Sequence, residues 1–433
     1  MIKVRQLFMA HFKVAVIGAV IVGNSFNLAA STRSEFTFEQ LAKMAFRQNL
    51  SLKISDRQHQ VSDLNEQVAF RQLLPSASIN SSRNDTLQYT SDPANELTSY
   101  STTLRLTQPI YAPSTWASWK KSKLTKKRNA KSLQKQKQTL LFQLKSAWYD
   151  LLKEQILNKQ AHESLERLKQ HRQNAEAFYA SGKIWRNDVL QAQVRVSRGE
   201  QDVFAANNRL VLAKSRINTL LNRSITLPLN PVGELKWRDF EMPFEQLVKQ
   251  AAINRLEIEQ SEIDIAIAKY DRDIAESKRL PSVNLTISSG ATASHFDYQR
   301  SVTQTIASLS VNWNFWAWGQ TNKEVDAADA QIQIENLALQ QQKMEVLSEV
   351  QAAYLTVMEG KKSLAVSEQA LKQSEENFRV SQIRYKEQLG SSNDVLDAQD
   401  LLTQTQSSRV TALSRYLTAI AELDLAVGQG VQY

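Results

Sequence analysis

Catalysis needs nucleophiles, bases or metal ligands held at fixed spacing, and this chain offers few arrangements of that kind. Its five histidines, His11, His59, His162, His171 and His295, are dispersed, with no metal-ligand spacing among them. Gly428-Gln429-Gly430 lacks the third glycine and the preceding strand of a dinucleotide-binding turn, and neither a nucleophile elbow nor a phosphate loop occurs. Cysteine is absent, which removes disulfides, thiolate metal sites and a lipid-anchor cysteine together. The sequence therefore names no catalytic residue, calls for no cofactor or metal, and argues against an enzyme. Asp394 stands near a helix start, where a carboxylate is favoured by capping and by the helix dipole.

The beginning of the chain reads as an export signal. Lys3, Arg5 and Lys13 precede the apolar run 14–22, and Asn27-Leu28-Ala29-Ala30 offers small residues for cleavage, so residues 1–30 are assigned to a signal peptide. Nothing later reaches the ~18 consecutive apolar residues of a membrane helix. An exported chain that enters a membrane must then do so as a closed β-barrel.

The formal charge of +9 is unevenly spread. No acidic residue occurs over 97–149, whereas Arg105, Lys120, Lys121, Lys123, Lys126, Lys127, Arg128, Lys131, Lys135, Lys137 and Lys145 fall within it. Such a block reads as a solvated helix face or as a contact for anionic lipid headgroups. Nucleic acid is set aside, because an exported chain rarely meets it.

Laid on itself, the sequence is a duplication. Phe38-Glu39-Gln40-Leu41 recurs as Phe244-Glu245-Gln246-Leu247, Leu74-Pro75-Ser76 as Leu280-Pro281-Ser282, and Asn187-Asp188-Val189-Leu190 as Asn393-Asp394-Val395-Leu396, each pair offset by 206 residues. Two repeats follow, 31–235 and 236–433, each ordered helix, strand, strand, long helix, turn, helix. The first helices are expected over 38–73 and 244–279, stopped by Pro75 and Pro281.

After each proline the period changes to two. Leu309, Val311, Trp313 and Phe315 alternate with Ser308, Ser310, Asn312 and Asn314, and Leu104 and Leu106 with Thr103, Arg105 and Thr107. Strand pairs are thus expected at about 75–111 and 281–316. One apolar and one polar face fits a half-buried soluble sheet as well as a barrel with lipid outside and water inside. Tyr111, Trp116 and Trp119 beside one pair, with Trp313, Trp316 and Trp318 beside the other, favour the barrel, because such rings concentrate at membrane interfaces. Four strands per chain cannot close a barrel of about eight or more, but three chains would supply about twelve.

Proline-free stretches at 114–179 and 319–385 predict helices of roughly 66 residues, ~100 Å long. Val189, Val196, Val203, Leu210 and Ile217 repeat every seven residues, and Ala192, Gly199, Ala206, Ala213 and Leu220 follow three places later. The shorter helices, at 38–73 with 187–222 and at 244–279 with 394–428, would each sum to one long rod if stacked end to end.

These features resemble the outer-membrane factor family typified by TolC. The likeness covers essentially the mature chain, including Thr107-Gln108-Pro109-Ile110-Tyr111 and, most specifically, Asp394-Val395-Leu396-Asp397-Ala398. The resemblance implies a mainly α protein with a small membrane β-barrel: a homotrimer with twelve strands, a periplasmic α-barrel of duplicated coiled-coil helices, and an inner end narrowing to an iris. It implies an exit duct that conducts passively and docks a periplasmic adaptor and an inner-membrane transporter, as in efflux pumps or type I secretion. Asp394 and Asp397 match the family's pore-aperture carboxylates, which would raise one another's pKa by repulsion. Asp188 and Tyr385 match a closed-state latch, although Gly390 stands where the family has the latch arginine. Gly182 matches the first tip-turn glycine, Gln388 replaces the second, and the turns around Gly182 and Gly390 are expected to receive the partners. The competing reading is a soluble periplasmic coiled-coil adaptor or scaffold with ordinary hairpins.

Overall fold

The computed structural model describes residues 35–85, 98–298 and 300–429. The expected signal peptide, 1–30, lies outside the described residues. The short strand β1 (Glu35–Phe36) leads to α1 (Phe38–Gln48), whose start is set by a capping box between Thr37 and Gln40. After α1 come α2 (Leu50–Arg71), β2 (Ser76–Asp85), β3 (Thr98–Tyr111), α3 (Pro113–Ala180) and α4 (Arg186–Leu220). The linker strand β4 (Asn230–Pro231) pairs in parallel with β1. The second repeat then supplies α5 (Phe244–Asn254), α6 (Leu256–Ser277), β5 (Ser282–Ala293), β6 (Val302–Asn312), α7 (Gln320–Lys386) and α8 (Ser392–Ala426).

The first helix of each repeat is not continuous as expected. It breaks at Asn49 and at Arg255, where the backbone leaves helical geometry. Asn49 acts as a cap: its side-chain oxygen accepts from the Leu52 N–H at 3.0 Å, while its amide donates to the Leu220 carbonyl at 2.9 Å. Leu220 closes α4, so the break sits where the two short helices meet. At the equivalent joint, the Arg255 guanidinium donates to the Ala426 carbonyl at 3.0 Å.

The long helices hold 68 and 67 residues. Along α3, α2 and α4 pack on one side and α6 and α8 on the other, and α7 packs against α5, α6 and α8. The helices therefore form a layer running from α2/α4 through α3 and α6/α8 to α7. The heptad seam is used as its spacing demands: Val189, Val196 and Ile217 are buried with Ala192, Ala206 and Ala213. A Cβ added at Gly199 would stand 3.0 Å from Leu168 Cδ1, so α3 and α4 approach too closely for a larger residue.

Two cores lie beside the joints. Leu41, Ala45, Leu140, Leu144, Leu151, Ile217 and Leu221 build the first; their counterparts 206 residues on, Leu247, Ala251, Val346, Val350, Val357, Leu423 and Val427, build the second. Duplication thus preserved the packing even where it changed the side chains.

The basic block on α3 corrects its sequence reading. Lys121 meets Asp271 at 2.6 Å, Arg128 meets Asp264 at 2.5 Å, Lys131 meets Glu259 at 2.8 Å and Lys135 meets Glu257 at 3.1 Å, all on α6. Lys126 pairs with Asp63 on α2, and Lys145 with Asp424 on α8 at 3.7 Å. Most of the block joins helices within the chain and is neither free nor offered to lipid. Single exposed pairs of this kind contribute only about 0–1 kcal/mol each, but a row of them sets which helix lies beside which.

Candidate functional site

The sheet runs in the order β2-β3-β5-β6 and is antiparallel throughout, leaving β2 and β6 as open edges. Pro109, which has no N–H to donate, falls at the register shift between β3 and β5, the tolerated place for it. Directly paired residues share a face. Ile79, Leu104, Leu106, Ile287, Leu285, Leu309 and Val311 therefore lie together on one face. The reverse face carries Ser78, Asn80, Thr103, Thr107, Thr286, Ser288, Ser308 and Ser310. Leu104, Leu309 and Val311 are exposed, so the apolar face has no covering layer within the chain. The 14 residues of β3 reach ~48 Å, or ~34 Å along a bilayer normal at a tilt of about 45°, enough for a hydrocarbon core of ~30 Å. No helix of the described residues is long and apolar enough to cross a membrane.

Aromatic rings flank both ends of this band. At the helical end Trp116 and Trp119 stand edge to face at 5.6 Å, and the Trp119 indole donates to Glu66 at 2.9 Å. Strand β6 ends at Asn312, short of the expected 316, because Trp318 and Gly319 take left-handed conformations that turn the chain toward α7. Trp313 donates to the Arg279 carbonyl at 3.0 Å, Trp316 and Trp318 stand 5.7 Å apart, and Tyr111 and Trp316 are exposed. At the opposite end Tyr100 meets Phe296 at 5.7 Å, and the Tyr298 hydroxyl shares a 2.8 Å hydrogen bond with Thr102. Sequence reading missed this second group, whose rings are scattered among polar loop residues.

At the far end of the helices, the two tip turns share one backbone plan. In the first, Gly182 (φ 71°) follows α3, with Gly182 N–H donating to the Tyr179 carbonyl at 2.9 Å and Lys183 N–H to Phe178 at 2.9 Å. In the second, Gln388 (φ 62°) follows α7, and the Gln388 and Leu389 N–H groups reach Tyr385 and Arg384 at 3.0 and 2.8 Å. The left-handed pivot of the second turn is therefore Gln388. Gly390 serves close approach instead, since a Cβ there would stand 3.3 Å from Arg384 Cβ. Trp185, 84% exposed, and Leu389, 71% exposed, project from the two tips.

Asp394 closes a capping box with Ser391: the Ser391 N–H donates to the Asp394 carboxylate at 2.8 Å, and the Asp394 N–H donates to the Ser391 hydroxyl at 3.2 Å. Those hydrogen bonds, helped by the Arg384 charge, hold the carboxyl of the single chain below its usual range. Asp397 is 74% exposed, and Arg195 on α4 donates to it at 3.3 Å while also pairing with Asp400. Nothing local in sequence links Arg195 to these aspartates, since they meet only across α3.

The expected hydrogen bond between Asp188 and Tyr385 is not formed within this chain. Tyr385 is 6% exposed, and its hydroxyl, beside Ser392, makes no hydrogen bond of normal geometry. Burial first, and then the Asp188 charge, push its phenol above the usual value. The hairpins are joined here by His171 on α3, whose Nε2 lies 2.9 Å from the Ser392 hydroxyl on α8 and whose ring stands 5.1 Å from that of Tyr385. Burial pulls His171 below its ordinary value, and Asp188 partly opposes this.

Residues 41–223 and 247–429 each match the family described as outer membrane efflux protein, so both repeats carry it. The chain belongs to that family. Among curated proteins it is similar to Nodulation protein T of Rhizobium leguminosarum bv. trifolii, 23% identical over 266 residues, which is 58% of this chain and 55% of that protein. The chain thus spans about half the length of the curated relative it matches. Its fold is similar to that of the CmeC outer membrane channel of Campylobacter jejuni, with a TM-score of 0.80, 14% identity, and coverage of 90% of this chain and 85% of that one. The outer membrane protein VceC of Vibrio cholerae superposes with a TM-score of 0.77 at 16% identity, covering 91% of this chain and 97% of that one. The family match thus spans both repeats, each with its strand pair and its long helix.

Proposed function

We propose that three copies of this chain close one outer-membrane channel, the exit duct of a tripartite efflux pump or type I secretion system. The observation that carries this reading is the four-stranded sheet, apolar on one face, polar on the other, and open at both edges. A sheet with neither face covered has no core of its own; lipid outside, water inside and a neighbour at each edge satisfy it together. The helical layer asks for neighbours in the same way. Leu50, Ile54, Val61 and Val68 lie exposed on α2 at one margin, and Ile334, Leu337 and Met344 on α7 at the other.

In this reading cargo moves passively, delivered by an inner-membrane transporter through a periplasmic adaptor that meets the tips around Gly182 and Gly390. Opening separates the two helical hairpins there. Arg195 with Asp397 and Asp400, His171 with Ser392, and the Asp188 charge beside Tyr385 are the contacts to be broken. Asp394 and Asp397 line the aperture. An adaptor or scaffold, by contrast, would have no use for an apolar sheet face bounded by aromatic rings.

Carbonate washing of membranes followed by planar-bilayer recording tests the proposal. The protein should stay with the outer membrane and conduct, and Asp394→Asn with Asp397→Asn should alter its ion preference. A washable, non-conducting protein would support the scaffold instead.

A further inference from the structure

Arg105 occupies the middle of β3, and its cross-strand partners are Ser78 on β2 and Ser288 on β5. All three point to the polar face. Arg105 is exposed and makes no hydrogen bond or ion pair among the described residues. It is also the one ionised side chain that the described strands carry on that face. β5 and β6 hold no charged residue at all. The remaining charges of β2, Arg83 and Asp85, pair with Tyr100 and Thr98 on the other face and neutralise each other at 3.0 Å.

The neighbours of Arg105 along its own strand, Leu104 and Leu106, belong to the apolar band. If the sheet were turned the other way, an unpaired guanidinium would sit in hydrocarbon at the height of that band, which is strongly disfavoured. Arg105 therefore faces water. Cyclic closure repeats it at one level, and a ring of like charges on low-dielectric walls attracts the opposite ion.

We propose that Arg105 forms a cationic ring inside the barrel that selects for anionic solutes, above all those bearing carboxylate, phosphate or sulfate groups, which a guanidinium binds through two parallel hydrogen bonds. This rests on the channel reading above. The aspartates of α8 lie at the opposite end of the long helices, so Arg105 variants and wild type are compared with the same aperture.

The absence of cysteine makes a direct test clean, since an introduced thiol is the single target of a thiol reagent. Purified channels carrying Arg105→Cys, Arg105→Gln or Leu104→Cys are recorded in planar bilayers across a potassium chloride gradient, before and after a cationic aminoethyl thiosulfonate. Both Arg105 variants should lose about two-fold or more in chloride-to-potassium permeability. The reagent should restore Arg105→Cys toward wild type and leave Leu104→Cys unchanged. Wild-type conduction with the same permeability ratio in both Arg105 variants overturns the cationic ring while leaving the channel intact. Reaction at Leu104→Cys but not at Arg105→Cys would reverse the faces of the sheet and overturn it as well. A wild-type protein that never conducts removes the channel reading itself.

Discussion

Asn49 and Arg255 stand 206 residues apart and perform the same act with different chemistry: each donates to the last carbonyl of the helix that meets it end on, Leu220 for Asn49 and Ala426 for Arg255. Arg255 also pairs with Glu257 at 2.9 Å and Glu349 at 2.6 Å, and is only 8% exposed. The two joints should differ in strength. Asn49→Ala removes a cap and a neutral hydrogen bond and should cost about 1–2 kcal/mol. Arg255→Ala leaves Glu257 with Lys135 alone and the Ala426 carbonyl without its charged donor, and should cost about 2–3 kcal/mol. Urea titration of the detergent-solubilised protein, followed by helical circular dichroism, measures both; equal small losses would show that the joints are held by apolar packing alone.

The tip turns give a second comparison. Gly182 and Gln388 share a left-handed conformation that costs a residue with a Cβ about 1–2 kcal/mol relative to glycine. Gln388→Gly should therefore stabilise the second hairpin by up to about 1 kcal/mol, and Gly182→Ala should destabilise the first by about 1–2 kcal/mol. Nothing lies within 4 Å of a Cβ built at Gly182, so any loss there reports backbone strain and not a clash. Hydrogen exchange at the two tips resolves the opposite signs, and like signs would refute the shared geometry.

The contrast between Gly182 and Gln388 also marks what sequence could reveal. Long helices were legible because proline is missing over more than sixty positions and the seam repeats in heptads, and the constant offset exposed the duplication. The breaks at Asn49 and Arg255 were not, because each depends on a carbonyl 171 residues away along the chain. The capping role of Asp394 was legible through its place at a helix start. Arg195 and His171 were invisible, since each belongs to an unremarkable helical stretch and acquires meaning only when α3 and α4 meet α8. The basic run on α3 showed its sign but not its partner: the acidic residues of α6 lie well over a hundred positions later.

His171 makes the hairpin contact sensitive to acid. Its pKa in the folded chain is depressed by burial, so above about pH 6.5 the imidazole is neutral in both folded and unfolded states and the contact is at full strength. As pH falls below that value the unfolded chain takes up a proton that the folded chain resists, and stability is lost. The groups facing it act in both directions: Asp188 favours the proton, while the N-terminal end of α8 at Ser392 opposes it. Stability should begin to decline as pH falls below about 6.5, above the range where carboxylates such as Asp394 and Glu257 titrate. His171→Gln can keep a hydrogen bond to Ser392 without titrating and should flatten that part of the profile. An unchanged slope in the variant would assign the acid sensitivity elsewhere.

Arg195 offers the sharpest test of the proposed aperture, because this one side chain restrains two carboxylates. Asp397 and Asp400 are half or more exposed, so water weakens each pair and the whole clamp contributes about 0.2–1 kcal/mol. That corresponds to a factor of roughly 1.4 to 5 in an equilibrium between closed and open hairpins. Arg195→Leu should therefore raise open probability in bilayer recordings by that modest factor and, by freeing two negative charges per chain, increase cation permeability. The two effects separate in a cycle: Asp397→Asn with Asp400→Asn should reproduce the opening but lower cation preference, and adding Arg195→Leu to that background should change open probability no further. Additive openings in the cycle would mean that Arg195 holds the hairpins through its packing in the groove beside Leu168 and Gly199, and not through its charge.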